Sequence, residues 1–176
     1  MEMYAAVVDR EVSAEDAPKL ADEIRSWLLM RQVIIGEQFE IFEGDPLWAY
    51  RPGSNVKRLL GPSPDMLRGV RIVTGRTAFS STAGHFLFCP VCRYTFEPDE
   101  DDATDALAEW QAGGNAGPVS CPDCYLTQPI TEWDSDWAYG NLGIEFHGWP
   151  DLPYFFVREL TRLLAHETVV ACGVAR

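Results

Sequence analysis

Leu142-Gly143-Ile144-Glu145-Phe146-His147, Pro153-Tyr154-Phe155-Phe156-Val157-Arg158-Glu159-Leu160-Thr161-Arg162-Leu163-Leu164 and Thr168-Val169-Val170-Ala171-Cys172-Gly173-Val174 follow one another near the end of the chain. The outer two runs are rich in β-branched and aromatic residues and read as strands. In the middle run Phe156, Leu160, Leu163 and Leu164 fall on one side of a helix, and Pro153 suits its first turn. The start of the chain has the same order. Met3 to Val8 predicts a strand, and Ser13 stands three residues before Asp16 in a capping-box arrangement. Ala17, Leu20, Ile24, Trp27 and Leu28 then recur at helical spacing, which predicts a helix from Ala14 to Arg31. Val33-Ile34-Ile35, ended by Gly36, predicts a short buried strand.

Between the two ends, Phe39-Glu40-Ile41-Phe42 predicts a strand stopped by Gly44-Asp45-Pro46, and Val70 to Thr74 predicts another ending at Gly75. Arg51-Pro52-Gly53 and Gly61-Pro62-Ser63-Pro64 lie in a stretch read as ordered loop, because proline removes a ladder donor. The chain has 176 residues, 47% of them apolar, which suits one compact domain carrying a small insertion rather than two full domains. Together these patterns predict an α+β fold: a mixed or antiparallel sheet covered by two helices and interrupted by an inserted module. The body is read as residues 1–85 and 134–176, and the insertion as 86–133.

The insertion contains the strongest chemical signal. Cys89-Pro90-Val91-Cys92 and Cys121-Pro122-Asp123-Cys124 are paired CPxC elements with 28 residues between them. Two-residue spacing lets one tight turn aim both thiolates at one ion, and two such turns supply four sulfurs. Cys89, Cys92, Cys121 and Cys124 therefore read as ligands of a structural zinc ion, with iron fitting the same thiolates. A lone CPxC suits a redox dithiol, but its duplication points to metal. Four sulfurs leave no open coordination position, so the ion is expected to support structure rather than chemistry.

The stretch Phe86 to Gln128 resembles a zinc ribbon, in which two knuckles at hairpin tips hold one ion. It departs from the usual pattern at Arg93 and Tyr125, where glycine often follows the second cysteine. More widely, Tyr50-Arg51-Pro52-Gly53-Ser54-Asn55, Val73-Thr74-Gly75-Arg76-Thr77 and Gly140-Asn141-Leu142-Gly143 with Trp149-Pro150 resemble a family of small bacterial proteins without an assigned activity. That resemblance implies no function.

Charge divides the chain sharply. Residues 94–157 hold 13 acids and no Lys or Arg, whereas the formal net charge of the whole chain is −13. The acids are densest at Glu97, Asp99, Glu100, Asp101, Asp102 and Asp105. They read as a solvated helix start or as a face for a cationic partner, the latter supported by Trp110, Trp133, Trp137 and Trp149 in the same segment. Such a balance argues against binding nucleic acid by phosphate neutralisation. The opposite bias occurs at Arg51, Lys57, Arg58, Arg68, Arg71 and Arg76, where Asp65 is the single acid. That stretch reads as an anion site or as a surface facing the acidic segment. No apolar run reaches the roughly 18–20 residues of a membrane span, and the first residues have no leader pattern, so a cytoplasmic protein with no membrane partner is expected. Nothing in the sequence signals an oligomeric state.

Other chemistry-bearing residues have plain structural readings. His85 reads as a neighbour of the cysteines rather than a ligand. Glu145 and His147 would share a strand face simply because they are two apart. His166 and Cys172 fall near the C-terminal helix and strand, where a lone cysteine usually packs as a small hydrophobe. Asp134, Asp136, Trp137, Tyr139 and Asn141 form a polar and aromatic loop set. Two functional readings follow. The first is a protein-interaction module whose acidic, aromatic-rich face meets a basic partner. The second is an enzyme whose pocket lies near Asp134–His147 and uses Arg51 or Arg76, with the metal purely structural. No catalytic motif singles out a residue for the second.

Overall fold

Reciprocal bonds start the first helix in the computed structural model, which describes residues 2–41, 48–60, 67–80 and 84–175. The Ser13 hydroxyl accepts the Asp16 amide at 3.0 Å and donates to its carboxylate at 2.8 Å. Residues 14–16 are a turn, so helix α1 (Ala17–Met30) begins three residues later than predicted, after strand β1 (Glu2–Asp9). Its buried face is Ala17, Ile24 and Leu28, as the spacing predicts.

The next two expected strands are one. Strand β2 (Ile34–Glu40) runs through Gly36 and pairs with β3 (Trp48–Pro52). Between the partners Ile34–Pro52 and Gln38–Tyr50, β2 uses four steps where β3 uses two, so Gly36 lies in an irregularity that takes up the extra residues. Phe42 and Gly44-Asp45-Pro46 lie outside the described residues.

The expected loop is also corrected, since it holds β3 and the short helix α2 (Val56–Leu60). Strand β3 even has neighbours on both sides, and proline is tolerated because Pro52 is its last residue. Gly61 to Pro64 lie outside the described residues. Strand β4 (Gly69–Phe79) does not end at Gly75, whose φ of 97° forms a bulge. There Gly75 and Arg76 together face Asn141 in the register.

From Phe79 the chain leaves the sheet for an excursion containing β5 (Leu87–Phe88), β6 (Thr95–Phe96), α3 (Glu100–Gln111), β7 (Pro118–Ser120), β8 (Thr127–Pro129) and β9 (Asp134–Ser135). It returns at Ala138, the register partner of Phe79, in β10 (Ala138–His147). Helix α4 (Tyr154–Leu164) and β11 (Thr168–Ala175) complete the chain. The six-stranded order is β11-β1-β10-β4-β3-β2, and every pairing is antiparallel. The fold is therefore α+β, with an antiparallel sheet.

Helices α1 and α4 pack on the face that carries Leu142, Ile144 and Phe146. On the opposite face Phe79 lies against Gly143, and a Cβ built there would overlap its ring carbons. Replacing Gly143 by Ala is expected to cost about 1–3 kcal/mol through overpacking, read as a lower urea midpoint at unchanged slope. An unchanged midpoint would show that Phe79 moves aside freely. Among the described residues no helix is long and apolar enough to cross a membrane.

Candidate metal centre

Two small hairpins within the excursion carry the cysteine pairs at their tips. In the first, Phe88 of β5 pairs with Thr95 of β6; in the second, Ser120 of β7 pairs with Thr127 of β8. The backbone repeats itself between them. The Cys89 N–H donates to Tyr94 O at 2.9 Å and the Arg93 N–H to Cys89 O at 3.0 Å. The Cys121 N–H donates to Leu126 O at 2.8 Å and the Tyr125 N–H to Cys121 O at 3.0 Å. Arg93 and Tyr125, the two departures from glycine, have φ of 63° and 61°. The turn thus keeps its left-handed residue and bears the steric cost of a side chain there. Each hairpin buries its first cysteine, Cys89 or Cys121, and half-buries its second.

All four Sγ atoms lie within 4.8 Å of one another. Cys89 and Cys124 approach to 3.5 Å, Cys92 and Cys121 to 3.6 Å. A tetrahedral ion with bonds of about 2.3 Å places its sulfurs about 3.8 Å apart, so these residues fit a single metal ion. Burial works to raise the Cys89 thiol, but N–H donors of Cys92 and Val91 and the sulfurs of Cys124 and Cys92 bring it down to about 6. The Cys92 thiol is raised: the Tyr94 backbone favours its thiolate, but burial and the other three sulfurs outweigh that. Four thiolates at this spacing repel one another unless a cation sits between them, so binding a metal would displace protons.

Around the cysteines, Leu87, Phe96, Leu107, Ile130 and Trp133 form an apolar cluster that extends to Tyr139 of β10. The acidic run begins α3. The Asp99 carboxylate accepts the amides of Asp101 and Asp102, and Glu100, Asp101 and Asp102 occupy the first turn. There they complement the positive end of the helix. Glu97, Asp99, Glu100, Asp101, Asp102 and Asp105 are all exposed, while Ala103, Ala106 and Leu107 face inward. The expected aromatic part of this face is corrected, because Trp133 and Trp149 are core residues and half-buried Trp110 lies beneath the guanidinium of Arg76. Indoles carry so much apolar area that core packing claims them first. Exposed aromatic rings occur instead at the hairpin tips, where Tyr94 is 49% and Tyr125 79% accessible.

The loop set read from Asp134 to Asn141 is largely strand, and Asp136, Trp137 and Asn141 each use one polar atom to hold the fold, while Asp136 Oδ2 and Asn141 Oδ1 are buried without a partner among the described residues. Asp136 accepts the Phe86 amide at 2.8 Å, Trp137 donates to Gly84 O at 2.7 Å, and Asn141 donates to Val12 O at 2.9 Å. His85 stacks on Trp137, with ring centroids 4.3 Å apart, and shares a 2.6 Å hydrogen bond with the Tyr139 hydroxyl. Burial lowers the pKa of His85 against the opposing charge of Asp136, and burial raises that of Tyr139.

Glu145 and His147 do share a face. Glu145 Oε2 lies 3.2 Å from His147 Nε2 and 2.6 Å from Arg71 of β4, the residue opposite it in the register. A cavity of about 230 Å³ gathers Asp134, Trp137 and Tyr139, but its cation is Arg10. The expected Arg51 and Arg76 are occupied elsewhere, Arg51 over the Phe39 ring and Arg76 on the carbonyls of Trp110 and Gly114. Cys172 is exposed rather than buried, because β11 is the edge of the sheet.

The residue that sequence reading missed is Asp9. It is fully buried, accepts the Glu11 and Val12 amides at 3.0 and 2.9 Å, and pairs with His166 at 2.8 Å. An acid at a strand end, followed closely by a helix cap, was its one local signal.

The fold and the site together define an α+β protein with a four-cysteine candidate metal centre. No family model, curated protein or solved structure matches this chain. What the centre does is therefore read from its own residues.

Proposed function

We propose that Cys89, Cys92, Cys121 and Cys124 hold one structural zinc ion, and that the zinc-ribbon-like unit of residues 86–133 is a cytoplasmic protein-interaction module for a basic partner. The carrying observation is the convergence of four sulfurs from two equivalent hairpins. Reduced thiols suit a cytoplasmic setting, and a four-thiolate set leaves the ion no open position for substrate. Support for docking comes from the exposed acids of α3, with the solvent-facing rings of Tyr94 and Tyr125 available for Arg or Lys side chains. Their negative sign argues against nucleic acid.

Protein purified without added metal is expected to carry about one zinc per chain by elemental analysis. A coloured, iron-containing protein would reassign the ion, and a metal-free folded protein would overturn the proposal. For docking, Glu100→Gln, Asp101→Asn and Asp102→Asn combined is the discriminating variant, because it leaves the Asp99 cap in place. Capture of a basic partner should slow mainly in its association rate, as it should with added salt. Loss of favourable charges from the first turn should lower the stability of this variant by about 1 kcal/mol. Partner capture that ignores both changes would remove the docking reading.

A further inference from the structure

We propose that the cavity between the end of β1, the start of β11 and β9 binds a small zwitterion of the α-amino-acid class. In this reading the ligand carboxylate lies on Arg10, its ammonium lies near Asp134 and Glu167, and its apolar side chain packs on Trp137 and Phe88. The site is independent of docking through α3.

The cavity volume, about 230 Å³, is below the range of roughly 300–1,000 Å³ used for drug-sized ligands, which suits a molecule as small as a free amino acid. Its lining divides by chemistry. The indole N–H of Trp137 is given to Gly84 O, and the Tyr139 hydroxyl is held by His85. The polar ends of both rings are thus already satisfied by the protein. With Tyr139 only 5% accessible and Trp137 half-buried, the apolar surface left for an occupant comes mainly from Trp137 and from Phe88, which is 40% accessible, and it favours an apolar or aromatic side chain.

The charged part of the lining is Arg10, Asp134 and Glu167. The side chain of Arg10 makes a single hydrogen bond among the described residues, a long one of 3.4 Å to Thr131 O, and no ion pair. Most of its five donors remain available, in the fork that suits a carboxylate. A simple anion drawn to Arg10 would also meet Asp134 and Glu167, and a simple cation drawn to those acids would meet Arg10. A ligand with both charges a few ångströms apart satisfies all three. The walls come from both parts of the chain, since Arg10 and Glu167 flank the large sheet while Asp134 and Trp137 belong to or adjoin β9.

The test is titration of the full-length, metal-loaded protein with free L-phenylalanine, L-tryptophan and L-leucine, and with their N-acetyl amides. Calorimetry reads affinity, and the Trp137 indole N–H signal in NMR reads location. Saturable binding of at least one free amino acid is expected, with a shift of that signal. Arg10→Gln and Asp134→Asn should each weaken binding at least about tenfold, the size of one lost charge-assisted contact. Both side chains are exposed, so the variants should keep the wild-type melting temperature. The proposal is overturned if no free amino acid saturates below about 10 mM. It is equally overturned if the capped amides bind as well as the free forms, if both variants bind unchanged, or if N-acetyl-lysine amide binds in their place, which would make the cavity a receptor for a partner's side chain.

Discussion

Replacing Cys121 by Ser is expected to empty the metal centre and loosen both hairpins while the six-stranded sheet stays folded. Cys121 is fully buried, and its sulfur lies 3.6 Å from that of Cys92. A hydroxyl there is a poor zinc ligand and leaves three thiolates at close range without the ion. Structural zinc in small modules contributes on the order of 10 kcal/mol, far more than the short strands β5 to β9 can supply alone. Metal content should fall from about one equivalent toward zero. Amide exchange should speed up through residues 87–133, while β1, β4 and β10 keep their protection. The contacts of the hairpin cluster with Tyr139 and Ala78 are what could spread the damage. If β1 and β10 lose protection together with the hairpins, the two apolar clusters unfold as one unit and the expectation fails.

The second large effect is expected at Asp9. Asp9→Ala removes the acceptor of the Glu11 and Val12 amides and the partner of His166, all at a fully buried carboxylate. Leaving these donors unpaired should cost roughly 2–4 kcal/mol in chemical denaturation. Its pH dependence has a definite sign. The hydrogen bond that His166 donates to the Asp9 carboxylate raises the pKa of His166, against the opposing effect of burial and with further help from the charges of Asp9, Glu11 and Asp16. A raised histidine contributes stability in full below its unfolded value, near 6.5, and loses it as pH rises through the folded value. Wild-type melting temperature should therefore decline across that interval, and the variant should lose most of that decline, keeping only the part due to Glu11 and Asp16. Parallel pH profiles for the two proteins would show that the pair is not coupled to folding.

Local patterns carried much of this structure in readable form. The spacing of Ala17, Ile24 and Leu28 and of Phe156, Leu160 and Leu164 is a property of a helix turning every 3.6 residues, so it marks α1 and α4 before any partner is known. The two CPxC pairs are equally local, because each tight turn aims its own two sulfurs. The helix start at Asp99 is similar: the acids that cap and charge it are neighbours in the chain. These features marked the four cysteines that could hold an ion and the covering helices without reference to the rest of the molecule.

The sequence by itself determined the two covering helices, α1 and α4, and which four cysteines could grip an ion; tertiary structure decided α2, the strands and most of the polar partners. β3 is a strand despite Pro52, and β4 continues beyond Gly75, because neighbouring strands supply the bonds and a bulge absorbs the mismatch. Trp133 and Trp149 went to the core because packing around them outweighed any role on the surface. Asp9 meets His166 across 157 positions of sequence, and Arg71 meets Glu145 across 74. Such pairs depend on the register between distant strands, and that register is set only when whole apolar faces come together, since a slip of one residue turns every side chain to the other face.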